Sequence, residues 1–362
     1  MLTWVQGWEK SKLRHQAWWQ GEVVDRVLIQ VFAPKKKASA DKLVGEETEG
    51  EKLWLDPGHR LAEMEKSLET FYYAGDAFPY LNTSLGPGTF SLFLGARPEF
   101  KPNTVWYHPC YQNIATASLP VFDEQNKYWQ ATISLCTAAV KHSQGRYLVA
   151  YPDLIENLDT LASLFGTEQL LHGLIDYPEK IHQFQTTILP IYLDCHRRIY
   201  EIIKDQQGGS CFSHFSVYGY GRIAKLQCDF SAMISPRMFE EFVLPYLDQQ
   251  CQALDHTVYH WDGPGALQHE KFLLSLRSLQ AVQWTPGAGQ PGVGEEKWWP
   301  LYRRVRQAGK SLLLMGVTAR QAERLVEYLG PEGLNFLVSA DTPEQADQIV
   351  RQAASWQKKR LW

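Results

Sequence analysis

Short apolar runs alternate with longer amphipathic segments along most of the chain, and this alternation predicts an α/β protein. Runs of four to six apolar or β-branched residues predict strands that are buried on both faces; the clearest are 27–32, 146–151, 282–285, 311–315 and 335–338. Segments with apolar residues three and four positions apart predict helices, such as 58–74, 124–142, 235–254 and 318–329. A strand followed by a helix recurs about eight times. We therefore expect a (β/α)8 TIM barrel over residues 25–362, preceded by an N-terminal helical extension over residues 1–24.

An open, doubly wound parallel sheet is the alternative to a barrel. Such a sheet commonly carries a Gly-x-Gly-x-x-Gly turn after its first strand, and no such motif follows residues 27–32. A polar stretch from Lys35 to Glu51 stands there instead, and we expect it to form a loop that acts as a lid. The barrel remains the favoured prediction.

Two neighbouring predicted strands end in polar side chains followed by a turn of Gly or Pro, at 259–263 and 282–286. Because side chains alternate along a strand, His260 and Asp262 should point to the same side. Active sites of (β/α)8 barrels lie at the ends of the strands. We therefore expect His260, Asp262 and Gln283 to share one cleft as catalytic residues, with His260 and Asp262 as candidate metal ligands. The structural alternative is a core histidine and a helix cap.

Other residues near strand ends are candidates for substrate binding, because they would face the same rim of a barrel. They are Asp76, Tyr151, Asp229, Trp284, Ser339 and Asp341. Asp153 follows a strand and suits either a helix cap or the pocket. His214 is expected to be a surface or packed histidine.

Composition narrows the possible partners. The 362 residues are 44% apolar and 21% charged, with a net charge of -4, as expected of a soluble globular protein. No sustained basic stripe occurs, which argues against nucleic acid as the main partner. The 13 tryptophans suit either a large core or a pocket that stacks on flat ligands.

Cysteine spacing and hydropathy indicate the cellular compartment in which the protein is expected. The six cysteines are widely spaced without a Cys-x-x-Cys pair, and the start of the sequence shows no signal-peptide pattern. No apolar segment reaches the ~20 residues that a membrane span requires. We therefore expect a reduced, cytoplasmic protein that does not associate with membranes.

Four segments together resemble the uroporphyrinogen decarboxylase superfamily: 13–26, 226–246, 259–263 and 339–344. The resemblance implies a (β/α)8 barrel with its site at the carboxyl ends of the strands. It also implies one of two activities. Some members decarboxylate porphyrinogens, whereas others are zinc-dependent methyltransferases that move methyl groups between corrinoid proteins or folates and thiols.

The sequence departs from both branches of that superfamily. The decarboxylases carry an Arg-rich motif after the first strand and a late Gly-His-Gly, but here these positions hold 32–35 (Phe-Ala-Pro-Lys) and 339–341 (Ser-Ala-Asp). The methyltransferases use His-x-Cys, and here the motif is His260-Trp261-Asp262. We therefore expect a site with oxygen ligands or with no metal, rather than a zinc-thiolate site.

Three functions follow from these observations. We expect methyl transfer at an altered metal or substrate site, with a divalent metal such as zinc and with a corrinoid protein as candidate cofactor and partner. The second hypothesis is a metal-free lyase, in which Asp76, Asp229 or Asp262 donates a proton and Arg222 or Lys225 binds a carboxylate. The third is a carbohydrate- or ligand-binding barrel that stacks its ligand on Trp106, Trp261 and Trp284. In each case the ligand is a small molecule, and a second copy of the chain is a candidate partner.

Overall fold

A computed structural model describes residues 2–35 and 50–359 of the chain. The lid expected between Lys35 and Glu51 lies almost entirely outside these residues. The strands are β1 (Leu28–Pro34), β2 (Phe71–Gly75), β3 (Tyr80–Asn82), β4 (Arg97–Phe100), β5 (Val105–His108), β6 (Leu148–Ala150), β7 (Gly209–Phe212), β8 (Val217–Tyr220), β9 (Ile223–Gln227), β10 (His256–Asp262), β11 (Ala281–Thr285), β12 (Ser311–Met315) and β13 (Leu334–Ser339).

The helices that the structure describes follow most of these strands. They are α1 (Trp8–Trp19), α2 (Gly50–Leu55), α3 (Pro57–Thr70), α4 (Phe90–Phe93), α5 (Lys127–Ser143), α6 (Leu158–Phe165), α7 (Thr167–Asp176), α8 (Pro178–Ile203), α9 (Pro236–Phe242), α10 (Leu244–Ala253), α11 (Glu270–Ser275), α12 (Trp299–Gln307), α13 (Ala319–Leu329) and α14 (Pro343–Ala353). Short 3-10 helices cover Asp229–Met233, Pro264–His269 and Glu296–Trp298. Among the described residues, no helix combines the length and the apolar character that crossing a bilayer requires.

A seven-stranded sheet with the order β2-β1-β13-β12-β11-β10-β9 forms the centre of the protein. Every neighbouring pair from β1 to β9 is parallel, and β2 alone runs antiparallel to its neighbour. The predicted α/β class is therefore confirmed as a mixed protein with a mostly parallel central sheet. Strands β3 and β6 form a separate parallel pair, and a bridge between Tyr151 and Phe212 connects β6 to β7. Within residues 2–35 and 50–359, hydrogen-bonded ladders do not join the two ends of the large sheet.

The parallel direction of six neighbouring strands brings their carboxyl ends to one edge of the sheet. These strands are almost entirely buried, which explains why their sequences are continuously apolar rather than alternating. Gly263, at a φ of 73°, ends β10 with a backbone conformation that other residues rarely adopt. The loops that leave β9, β10 and β11 therefore meet at this edge.

The N-terminal helix α1 is packed firmly against the sheet. The indole Nε1 of Trp18 donates to the carbonyl of Leu312 at 3.1 Å, and that of Trp19 donates to the carbonyl of Tyr218 at 2.9 Å. Both tryptophans are buried. Most of the aromatic content therefore serves packing, here and in β10 and β11.

Two predicted helices differ from the structure. The helix expected over 58–74 ends at Thr70, and the residues after it form β2. Aromatic residues fit a strand better than a helix, and β2 pairs with β1 along its whole length. The helix expected over 235–254 is interrupted at Val243, next to Pro245, because proline cannot donate within a helix.

Candidate functional site

Three polar side chains lie side by side across neighbouring strands near the carboxyl edge of the sheet. The strand register pairs His260 of β10 with Gln227 of β9 on one side and with Gln283 of β11 on the other. Side chains at paired positions of parallel strands point to the same face. The predicted proximity of His260 and Gln283 follows from this register.

Two carboxylates adjoin this row and complete a cluster of possible metal ligands. One ligand atom from each of Asp229, His260 and Asp262 lies within 4.8 Å of the others. Asp262 is the last residue of β10, and Asp229 follows the end of β9 by two residues. Two carboxylates and one imidazole provide oxygen and nitrogen donors for a divalent cation. The described chain brings no cysteine into this cluster.

Gln283 fixes the hydrogen-bonding state of the imidazole of His260. The amide Nε2 of Gln283 donates to the carbonyl of Trp284 and to Oγ1 of Thr285, both at 2.9 Å. Its Oε1 must therefore accept, and it pairs with Nδ1 of His260. This arrangement places the proton on Nδ1 and leaves the lone pair of Nε2 free to bind a ligand. Burial lowers the pKa of His260 and favours the neutral ring that a metal ligand needs.

Asp229 has an unusual electrostatic environment. Water reaches its carboxyl group, but the surrounding protein and a second carboxylate, that of Asp159, disfavour its charged form. Burial and, after it, repulsion by Asp159 raise the pKa of Asp229 to about 7. The amide of Gln227 lies between the two carboxylates and donates to both, at 3.0 Å to Asp159 and 3.1 Å to Asp229.

An open cleft of about 750 Å³ adjoins this cluster. His260, Asp262 and Gln283 all line it, as predicted, together with the loop that follows β11 and the end of β12. The buried Oδ1 atom of Asp262 and the indole Nε1 of Trp284 have no hydrogen-bond partner. Polar atoms in such positions usually bind water, an ion or a ligand. Only Oδ1 of Asp262 belongs to a possible ligand at the cleft, because the Trp284 ring packs against Trp261 and Trp298 on the other face of β11.

A buried ion pair lies deeper, one layer below the row of Gln227, His260 and Gln283. Lys225 precedes Gln227 by two positions on β9, and its Nζ lies 2.8 Å from the carboxylate of Asp153. Both side chains are less than a tenth exposed. Asp153 thus neutralises the cation. It does not cap α6, whose N-cap is Asn157, and it is not among the described residues that line the cleft.

The structure separates the candidate substrate-binding residues into two groups. Asp229 belongs to the ligand cluster and Trp284 lines the cleft, although its side chain is only 1% exposed. Ser339 and Asp341 are exposed at the end of β13, which is separated from β11 by β12. Tyr151 is buried and stacks on His196, with ring centroids 4.1 Å apart. These last three are not among the described residues that line the cleft.

Asp76 lies at the opposite end of the sheet and has a different role from the one expected. Its fully buried carboxylate accepts from Arg14 at 3.0 Å, Arg26 at 2.6 Å and Ser11 at 2.9 Å. It also accepts from the backbone nitrogen of Ile29, near the start of β1. Because β2 is antiparallel to β1, the end of β2 lies beside that start. Asp76 therefore joins α1 to the sheet and does not face the cleft.

Three residues near the cleft were not predicted. His214 lines it, contrary to the expectation of a surface or packed histidine, and burial lowers the pKa of its ring. Gln227 could have been found, because it precedes Asp229 by two positions on the same face of a strand. Asp159 could not, because it begins a helix far away in the sequence.

Comparison with known proteins adds no family assignment: no family model matches the chain, and neither does any curated protein at a significant level. The resemblance to the uroporphyrinogen decarboxylase superfamily therefore stays a prediction based on the four segments described above. The geometry of the cleft is therefore the basis for a proposed function.

Proposed function

We propose that this protein is an enzyme that binds a divalent cation through Asp229, His260 and Asp262 and acts on a small molecule in the adjoining cleft. The observation that carries the proposal is the convergence of these three donors within 4.8 Å, one of which, Asp262, has a buried carboxylate oxygen without a hydrogen-bond partner. The hydrogen bond between Gln283 and His260 supports it further, because metal-binding histidines characteristically donate their second ring proton to an outer partner.

We infer that the domain over residues 25–362 is a closed (β/α)8 barrel. The six parallel strands from β1 to β9 support this fold, and the parallel pair of β3 and β6 would supply the two further strands that a barrel of eight requires. A barrel would also explain why the polar side chains gather at the carboxyl ends of the strands.

The donor set fits a divalent cation that accepts nitrogen and oxygen ligands, such as Zn²⁺ or Mn²⁺. Cys228 is adjacent to Asp229 in sequence, but burial raises the pKa of its thiol well above the usual range, which disfavours a thiolate ligand. When bound, such a cation supplies a Lewis acid that lowers the pKa of a substrate thiol or hydroxyl. The neutral ring of His260, held by Gln283, and the two carboxylates would hold it.

For the reaction we propose methyl transfer onto the activated thiol or hydroxyl, with a corrinoid or folate as methyl donor. The resemblance to the uroporphyrinogen decarboxylase superfamily supports this class. In this reaction the described residues bind and orient the acceptor: the carboxylate of Asp229 or Asp262 would accept the proton that the acceptor loses, and the loop after β11 covers the cleft from one side. The acceptor forms its new bond to the methyl group as the bond between the methyl group and the donor breaks, and the electron pair of that bond stays with the donor.

Charge argues against uroporphyrinogen as the substrate. Among the described residues that line the cleft there is neither Arg nor Lys, whereas a substrate with several carboxylates requires cations. Lys225 is already paired with Asp153. Arg222, the other cation considered, precedes β9 and pairs with Asp255, so it lies at the opposite end of that strand.

The tryptophans give little support to a carbohydrate-binding barrel. Trp261 is fully buried, and Trp284 packs against it with ring centroids 5.8 Å apart. Trp106 is exposed, but it belongs to the β4–β5 hairpin and does not line the cleft. Stacking on a sugar requires an accessible ring face.

A metal-free lyase is the second candidate, and one observation favours it. The pKa of Asp229, raised to about 7 by burial and by Asp159, would suit a general acid at neutral pH. Chelation separates the two candidates, because a lyase of this kind would keep its activity without a metal.

The test of the proposal begins with metal binding by the purified protein. We expect about one Zn²⁺ or Mn²⁺ per chain by calorimetry and elemental analysis. The variants His260→Ala and Asp262→Asn should lose more than the roughly 10- to 100-fold in affinity that removal of an outer partner costs. His172→Ala and Asp176→Asn, which change exposed residues of α7, are the matched controls and should bind normally.

Methyl transfer is tested separately with the metal-loaded protein. Methylcobalamin serves as donor and a panel of small thiols and alcohols as acceptors, and the methylated product is detected by mass spectrometry. Failure of the wild-type protein to bind any divalent cation would refute the metal site. Normal cation binding without transfer to any acceptor would refute the proposed reaction but not the site.

A further inference from the structure

We propose that Asp159 is a positioning residue for the cation site: it holds the turn after β9 and thereby fixes Asp229 as a ligand. This inference rests on the proposed function, because it concerns the same cation. Asp159 itself is not a ligand in this proposal, since both of its carboxylate oxygens already accept hydrogen bonds from the protein.

The hydrogen bonds that the carboxylate of Asp159 accepts all come from the end of β9 and the turn that carries Asp229. Its Oδ2 accepts from the backbone nitrogen of Asp229 at 2.9 Å, and its Oδ1 accepts from that of Phe230 at 2.9 Å. Oδ2 also accepts from the amide Nε2 of Gln227 at 3.0 Å. One carboxylate from the first turn of α6 thus binds three donors at the end of β9.

The first residues of this turn depend on a partner from outside it. The 3-10 helix over Asp229–Met233 is five residues long, and Asp229 is its first residue. The first residues of such a helix have backbone N–H groups without a partner inside the helix. Asp159 provides that partner from outside, so it decides where the Asp229 backbone lies.

Gln227 connects Asp159 to the side chain of Asp229 as well as to its backbone. The same Nε2 group that donates to Asp159 also donates to Oδ2 of Asp229 at 3.1 Å. It therefore orients the carboxylate of Asp229 and separates it from the like charge of Asp159. Removal of Asp159 would release both the backbone of Asp229 and the amide that aligns its carboxylate.

The expected consequence is a loss of cation affinity rather than a loss of folding. Outer partners of metal ligands typically contribute 10- to 100-fold in affinity. In Asp159→Asn one acceptor oxygen becomes an NH₂ group. This group would face the N–H donors at the end of β9 and could not accept their hydrogen bonds. We therefore expect the dissociation constant for Co²⁺ to rise roughly 10- to 100-fold in this variant.

The experiment is a titration of the full-length protein with Co²⁺, which reports both affinity and ligand geometry through its visible absorption. The variants are Asp159→Asn and, in case the first does not fold, Gln227→Leu, which removes the bridging amide. The matched control is Asp56→Asn. Asp56 also begins a helix and accepts a backbone N–H, that of His59 at 3.0 Å, but it belongs to α3. Thermal unfolding in the presence of a chelator measures the stability of each variant.

We expect weaker Co²⁺ binding and an altered absorption band in Asp159→Asn and Gln227→Leu, with normal binding in the control. Normal affinity and an unchanged band in a folded variant would overturn the role of Asp159 while leaving the cation site intact. A similar loss in the control would also overturn it, because the effect would then be a general one of helix stability. If the wild-type protein binds no Co²⁺, the proposed function fails first, and this inference falls with it.

Discussion

A histidine buried far from the cleft should make the protein sensitive to acid. His15 of α1 is fully buried, and neither of its ring nitrogens has a hydrogen-bond partner. Its ring lies among those of Trp8, Phe78 and Tyr218, with centroids 5.7 to 6.4 Å away. Burial lowers its pKa from the ordinary 6.5 to about 4, although the nearby carboxylate of Asp76 opposes the shift. The folded protein therefore resists protonation of this ring.

The size of the effect follows from the two pKa values. The unfolded chain takes up a proton at His15 as the pH falls below 6.5, whereas the folded protein does so only near pH 4. The stability contributed by the neutral ring is thus complete above pH 6.5 and is lost as the pH falls toward 4. At about 1.36 kcal/mol per pKa unit, the complete loss is about 3 kcal/mol, of which about 2 kcal/mol should be lost between pH 7 and pH 4.5.

The perturbation is His15→Leu, which replaces the ring with an apolar side chain that cannot titrate. Urea unfolding at pH 7 and at pH 4.5 gives the free energy of unfolding of the wild type and the variant. Contributions of other titrating groups are common to both proteins and cancel in the comparison. We expect the variant to lose about 2 kcal/mol less than the wild type on acidification. His172→Leu, at an exposed position of α7, should behave as the wild type does. Equal acid losses in wild type and His15→Leu would refute the reasoning.

Three further predictions concern stability and the site. Asp76→Ala would leave the buried Arg26 without its carboxylate and remove one of the two carboxylates that bind the partly buried Arg14, so it should lower the free energy of unfolding by about 3 to 5 kcal/mol in urea. Asp25→Ala, which removes an exposed carboxylate, should cost about 1 kcal/mol or less, and equal costs would contradict this. Trp261→Ala should lower the free energy of unfolding by about 3 to 5 kcal/mol in the same assay, because this side chain is fully buried. The exposed Trp106→Ala should lower it by less than about 0.5 kcal/mol, and equal losses would contradict a core role for Trp261. Gln283→Leu should raise the Kd for Zn²⁺ in calorimetry roughly 10- to 100-fold by freeing the imidazole, and unchanged affinity would show that the amide does not orient it.

The sequence revealed those parts of the site that depend on local periodicity. His260 and Asp262 lie on one strand, and alternation alone places them on the same face. Gln283 lies beside them because β11 also carries a polar side chain near its end and pairs with β10 so that Gln283 is opposite His260. The α/β class was predictable for the same reason, since buried parallel strands give continuous apolar runs.

The remaining parts depend on contacts between distant segments. Asp159 reaches Asp229 only because α6 packs beside the end of β9, and no pattern near Asp159 indicates this. Asp76 was expected at the cleft, but the residues before it, predicted as the end of a helix, form β2, which runs antiparallel to β1 and places Asp76 at the opposite end of the sheet. Direction and packing of an element are tertiary properties, so the sequence around each carboxylate could not indicate its surroundings.

The attachment of α1 to β12 constrains how the chain can fold during its synthesis. The indole of Trp18 binds the carbonyl of Leu312, which is made 294 residues later. At roughly 5 to 20 residues per second, a ribosome needs on the order of 15 to 60 s to cover that separation. During this interval Trp18 has no docking surface from β12, and its apolar ring is available to chaperones. Synthesis of β12, rather than emergence of the first helix, therefore determines when Trp18 can make this contact.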